Sequence, residues 1–137
     1  MPIDKLAWIM HNLIEKFNEN PFITQQFLEE YEYALLEFTN KIATDNVLIN
    51  HEKIQMDLEY TKKFAELRDE CKSNADCESK TDQIFADRKA LWKNKENTMK
   101  MYIDLSWNYR RFWDVMRSSI IWERQDNKRI DTVMSWM

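Results

Sequence analysis

Between Tyr109 and Arg129, basic side chains alternate with rings: Arg110, Arg111, Arg117, Arg124, Lys128 and Arg129 stand among Tyr109, Phe112, Trp113 and Trp122. Guanidinium groups pair with phosphates, and aromatic rings stack on unpaired bases without reading their sequence. The chemistry on offer is therefore binding of a single-stranded polyanion, with no bond made or broken. Asp114, Glu123, Asp126 and Asp131 lie in the same stretch and dilute the positive field. Aromatic side chains also drive burial, so core or subunit contacts compete for the same rings.

The residues that usually carry catalysis form no constellation here. With no glycine in the chain, a phosphate-binding loop, a dinucleotide fingerprint and a glycine-flanked serine nucleophile are all excluded. His11 and His51 are solitary, and neither follows a glutamate by three residues as a carboxylate-bridged di-iron bundle requires. Cys71 and Cys77 lack the second cysteine or histidine pair that zinc needs, and no partner base can be placed for a thiolate nucleophile. The expectation is a non-enzymatic protein with no cofactor and no metal site. The two cysteines flank a polar turn and are close enough to bridge, but the expectation is two reduced, dispensable thiols in a reducing compartment.

Helices must hold these groups. A chain of 137 residues without glycine and with two prolines has little means of building tight hairpins. The reading is an all-α, multi-helix bundle with long antiparallel helices and no β-sheet, forming a single domain over 1–137. Ile3, Leu6, Met10, Leu13, Ile14 and Phe17 make one stripe on a first helix within 1–18. Phe27, Leu28, Tyr31, Leu35, Phe38 and Ile42 make another on an acidic helix over 22–43, which Thr44-Asp45-Asn46 is expected to end. On a third helix over 47–72, Ile54, Leu58 and Ala65 mark one face, and Met56, Tyr60, Phe64, Leu67 and Cys71 mark one largely opposed to it. A helix apolar on two sides sits between neighbours. Ser79-Lys80-Thr81-Asp82 has capping-box spacing and opens an aromatic and basic segment over 80–137, bent or ended at Gln125-Asp126-Asn127 before a short last helix.

Five of the six tryptophans lie in that last segment. Its polar residues Lys93, Asn97, Lys100, Asp104, Asn108, Arg111 and Ser118 form one narrow line, leaving an apolar circumference wider than one neighbouring helix buries. Trp107, Trp113 and Met116 are therefore expected to bury a self-association surface. Charge divides the chain as well. Met1 to Tyr60 carries 11 acids and 4 bases, and Thr61 to Met137 carries 13 and 16. An acidic half suits a basic protein surface, and a basic half suits a polyanion. No continuous apolar signal core and no membrane-length run is present, so the expected location is cytoplasmic, without membrane contact.

Several short stretches resemble the recombination-mediator family of T-even-type phages, the UvsY family. Phe22-Ile23 followed by Leu28 is similar to the family's opening stretch, Lys62-Lys63-Phe64-Ala65 resembles the basic run before its DNA-binding segment, and Asn127-Lys128-Arg129-Ile130 resembles its C-terminal helix start. The glycines and tyrosine pair after the family's basic run and its terminal glycine have no counterpart here, and an N-terminal helix is added. The resemblance implies a homo-oligomer, working inside a phage-infected host, that binds single-stranded DNA and helps a recombinase displace the single-strand-binding protein. By position Lys62, Lys63 and Arg68 inherit the DNA-binding role, joined by whichever of Arg110, Arg111, Arg117 and Arg124 are not paired internally. The alternative is a small helical adaptor or inhibitor with no nucleic-acid role, its acidic half engaging a basic protein.

Overall fold

A computed structural model describes residues 1–20 and 22–135, with side chains described up to residue 120. Within these limits the protein is all-α and no strand is present: α1 spans Ile3–Glu19, α2 Gln25–Leu67 and α3 Asn74–Ser135, with a 3-10 turn at Arg68–Glu70. The chain divides into two compact units, one of 1–42 with 103–137 and one of 43–102.

The starts of α2 and α3 are set by side-chain caps. The Thr24 hydroxyl accepts the Phe27 N–H at 3.1 Å and opens α2. At α3 the Ser73 hydroxyl accepts the Asp76 N–H at 3.2 Å, and the Asp76 carboxylate accepts the Lys72 N–H at 3.0 Å. This near-reciprocal capping box lies six residues before the Ser79-to-Asp82 one expected from sequence. Thr81 is unavailable there because it is fully buried, its hydroxyl donating to the Cys77 carbonyl at 2.7 Å.

Two expected breaks are absent. Helix α2 runs unbroken through Thr44-Asp45-Asn46, and α3 runs through Gln125-Asp126-Asn127 to Ser135. In α2 the reason is visible. Ile42, Ile49 and Met56 are buried at seven-residue intervals on both sides of the polar triplet, so helical packing continues across it and overrides a local preference worth a few tenths of a kcal/mol per residue.

In the first unit, α1, the N-terminal part of α2 and the C-terminal part of α3 enclose Tyr109. The Tyr31 hydroxyl donates to the Tyr109 carbonyl at 2.6 Å, and the Tyr109 hydroxyl bonds His11 Nε2 at 2.8 Å. Phe38 packs edge-on to the Tyr109 ring at 5.3 Å between centroids. Leu6, Met10, Leu13, Leu28, Met116 and Ile120 complete a buried core around these rings. Burial raises the Tyr31 phenol above its usual range, with the neighbouring Tyr109 adding to it.

The second unit is an antiparallel pair formed by the rest of α2 and the start of α3. Trp92 Nε1 donates to the Ile49 carbonyl at 2.9 Å, and the Tyr60 hydroxyl donates to Asp82 at 2.8 Å. Met56, Cys77, Phe85 and Met99 are buried between the helices. The turn is closed by a Cys71–Cys77 disulfide with 5.3 Å between Cα atoms, which corrects the expected thiol pair. The 3-10 turn and the cap on α3 bring the two residues inside the 4.4–6.8 Å range that a bridge needs, a local geometry that an argument from cellular compartment does not see. The loop it closes is short, so oxidation should stabilise the protein by only about 2 kcal/mol by chain entropy. Urea denaturation with and without reductant reads that difference directly, and equal midpoints would show that the bond contributes nothing.

Candidate nucleic-acid interface

The expected basic residues fall into separate places. In the first unit, Trp107, Arg110, Trp113 and Arg117 follow at spacings of three, three and four and share one side of α3. Arg110 lies over the Trp107 ring at 6.0 Å from its centroid, and Arg117 over the Trp113 ring at 5.3 Å. Both arginines and Trp107 are exposed, while Trp113 is half-buried. The result is two guanidinium-capped indoles one after the other along a helix, each pair joined by cation–π attraction.

Helix α2 supplies the wall beside them. Glu32, Leu35, Leu36 and Thr39 join Arg110 and Trp113 in lining a groove of about 270 Å³. The Trp113 indole N–H is buried and has no acceptor among the described residues. A buried donor left unpaired costs about 1–3 kcal/mol. Leu36 and Thr39 were not singled out from sequence. The indole-to-arginine spacing was the legible signal, because residues three or four apart on a helix are neighbours.

Arg111 is exposed but lines a different groove of about 350 Å³ with His11, Ile14, Leu105, Asn108, Tyr109, Phe112 and Val115. It does not join Arg110 and Arg117. Arg124 lies beyond the described side chains, as do Trp122 and Trp136. Met116 is 0% exposed, so it cannot serve the self-association surface expected of it with Trp107 and Trp113. Met116 is packed inside this unit, whereas Trp107 on the same helix stays 59% exposed.

In the second unit Lys62 and Arg68 are exposed, whereas Lys63 is half-buried with its ammonium 3.6 Å from Glu66. Neighbours in sequence on a helix point about 100° apart, and Arg68 already belongs to the 3-10 turn. These three cations form no single patch. Several other charges in this unit are paired: Lys95 with Glu52 at 3.1 Å, Arg88 with Glu59, and Lys93 and Lys100 with Glu96 at 3.3 and 3.0 Å. Hydrogen bonds from Lys100 and Lys93 hold the Glu96 carboxyl below its usual range.

Asp82 has a comparable setting. The Tyr60 hydroxyl and the Lys89 ammonium, at 3.1 Å, both bond it, and the Lys89 ammonium also sits 4.5 Å from the Tyr60 ring centroid. These bonds lower the Asp82 pKa, the Tyr60 bond first, and the same bond pushes Tyr60 up to about 12.

Among the described residues no group of three or more histidine, cysteine or carboxylate side chains is placed to hold a metal, and no helix is long and apolar enough to cross a membrane. The chain matches no protein-family model, no curated protein and no solved structure.

Two measurements test this geometry. Removing the Trp113 N–H by Trp113→Phe should leave stability unchanged or slightly higher, because an unpaired donor goes with it. Trp92→Phe should cost about 1 kcal/mol through the lost bond to Ile49. Equal losses in thermal melts would refute the contrast. For Asp82, a folded pKa below the unfolded one means a contribution present above the ordinary aspartate range and lost as pH falls through the folded value. Tyr60→Phe should raise the Asp82 pKa towards that range, read from its carboxyl carbon shift in an NMR titration.

Proposed function

We propose that the protein is a non-enzymatic recombination mediator that binds single-stranded DNA and acts through contacts with other proteins and with further copies of itself. The observation that carries this reading is the pair of stacked tryptophan–arginine units on one side of α3, Trp107 with Arg110 and Trp113 with Arg117. An indole offers a stacking face that any base accepts, and a guanidinium beside it offers a fork for the adjoining phosphate. Neither selects a base. Exposed Lys62 and Arg68 in the second unit add cations to the same chemistry. The short stretches resembling the phage mediator family point the same way and suggest the cytoplasm of a host as the site of action.

A second reading has its own observation. The groove beside Trp113 is lined largely by apolar groups, with Glu32 and Arg110 among them and an unpaired indole N–H. Those features also suit a helix of another protein that brings a carbonyl or carboxylate oxygen, as an adaptor would require.

Salt separates the two. Tryptophan fluorescence titrated with a thymidine homopolymer at two salt concentrations should show binding that weakens with salt. The slope of log affinity should flatten by roughly 0.7 for each phosphate contact removed by Arg110→Ala or Arg117→Ala. The effect should be similar for poly-dA and poly-dT. No binding at low salt would discard the mediator reading and leave the adaptor.

A further inference from the structure

Glu32 and Arg110 face one groove with opposite charges and do not pair. Both are exposed, and both line the space of about 270 Å³ in the first unit, with Leu35, Leu36, Thr39 and Trp113. Neither is in an ion pair or a hydrogen bond among the described residues. A guanidinium that reaches a carboxylate closes on it with two parallel N–H···O bonds. Arg110 is instead drawn to the Trp107 ring, 6.0 Å from its centroid, which attracts the cation but offers no acceptor atom. The groove is left with an open acceptor fork from α2 and an open donor fork from α3, set among two leucines and an indole.

An occupant must supply what each fork lacks. The carboxylate needs two donors side by side and the guanidinium two acceptors side by side, on a flat body whose faces suit Leu35, Leu36 and Trp113. Among the DNA bases guanine alone has both. Its N1–H and N2 amino group are neighbours on one edge, and O6 and N7 are neighbours on the next, the pair that arginine grips with two bonds. Adenine and cytosine bring one amino group to the carboxylate, and thymine one N–H. The groove volume lies just under the ~300 Å³ at which sites for larger ligands begin, so it suits one base.

We infer that this groove is a subsite for one unstacked guanine of a bound single strand, with Glu32 accepting from N1–H and the N2 amino group and Arg110 donating to O6 and N7. The inference rests on the single-stranded DNA reading and adds a base preference at one position. Arg110 has five N–H donors, enough for the guanine edge and a phosphate oxygen. Stacking and phosphate contacts stay indifferent to sequence, so homopolymers of adenine and thymine remain alike.

Fluorescence anisotropy of end-labelled octamers tests it, comparing oligo-dT with the same strand carrying one central dG, dA or dC at low salt. The dG strand should bind about tenfold tighter than oligo-dT, with dA and dC within about twofold of it. Inosine, which lacks the N2 amino group, and 7-deazaguanine, which lacks N7, should each remove most of the gain. In Glu32→Gln the ratio of dG to dT affinity should fall to within about threefold of one, with helicity by circular dichroism unchanged. A ratio is insensitive to the general rise in affinity that follows loss of a negative charge. Equal binding of all four strands, or a dG preference that survives Glu32→Gln, would overturn the subsite and leave the mediator reading standing. If no strand binds, the mediator reading fails and the free nucleotide decides the subsite. Millimolar GMP, and not AMP, should then shift the NMR signals of Glu32 and of the Trp113 indole N–H, and no shift would overturn the subsite as well.

Discussion

A chain with no glycine cannot stop a helix in the least costly way. The left-handed C-cap that ends many helices needs a residue tolerant of positive φ, and no described residue adopts one. Helices 43 and 62 residues long follow from that constraint. Where the chain does change direction it uses other means. Asn20 leaves α1 in extended backbone, and the 3-10 turn at Arg68–Glu70 tightens the exit from α2 before Ser73 caps α3. The disulfide then ties the two sides of this reversal together. Side-chain hydroxyls and a covalent bond stand where glycine would.

Long helices with one interior row each carry few fully enclosed side chains. In the first unit three helices share Tyr109, whose ring, hydroxyl and carbonyl each meet a different neighbour: Phe38, His11 and Tyr31. Such a network constrains helix order and rotation, because the Tyr109 hydroxyl reaches His11 on α1 while its carbonyl accepts from Tyr31 on α2. The second unit has no third helix to complete its packing. Its cross-helix ion pairs, Arg88 with Glu59 and Lys95 with Glu52, are exposed. Exposed pairs contribute little to stability, so their main effect is to specify which turns of α2 and α3 lie side by side.

Much of the fold was legible in the sequence where periodicity was strong. The stripe of α1 and the two opposed faces of α2 were readable, because spacings of three and four survive any packing partner. Thr44-Asp45-Asn46 misled because local turn preference was set against a buried row whose partners lie far along the chain. Ser79 to Asp82 matched a cap pattern, but Thr81 was claimed by the core and Asp82 by Tyr60. Met116 was misassigned for a related reason: an apolar circumference shows how much surface needs cover, not whose surface supplies it. The cations were legible only as a list. Lys62 and Lys63 stand together in sequence yet face different ways, whereas Trp107 and Arg110 stand apart and stack.

The contacts of the two units also differ in how much chain they enclose. Tyr60 meets Asp82 across 22 positions and Trp92 meets Ile49 across 43, whereas Tyr31 meets Tyr109 across 78 and His11 meets Tyr109 across 98. Closing the longest of these rather than the shortest costs about 1.3 kcal/mol more in loop entropy. The topology therefore carries an order of assembly. The hairpin beside the disulfide can zip up from its turn through local steps, while the core around Tyr109 must wait for segments from both sides of that hairpin. The His11–Tyr109 contact of α1 closes the longest of these loops, so by this argument it forms after the hairpin.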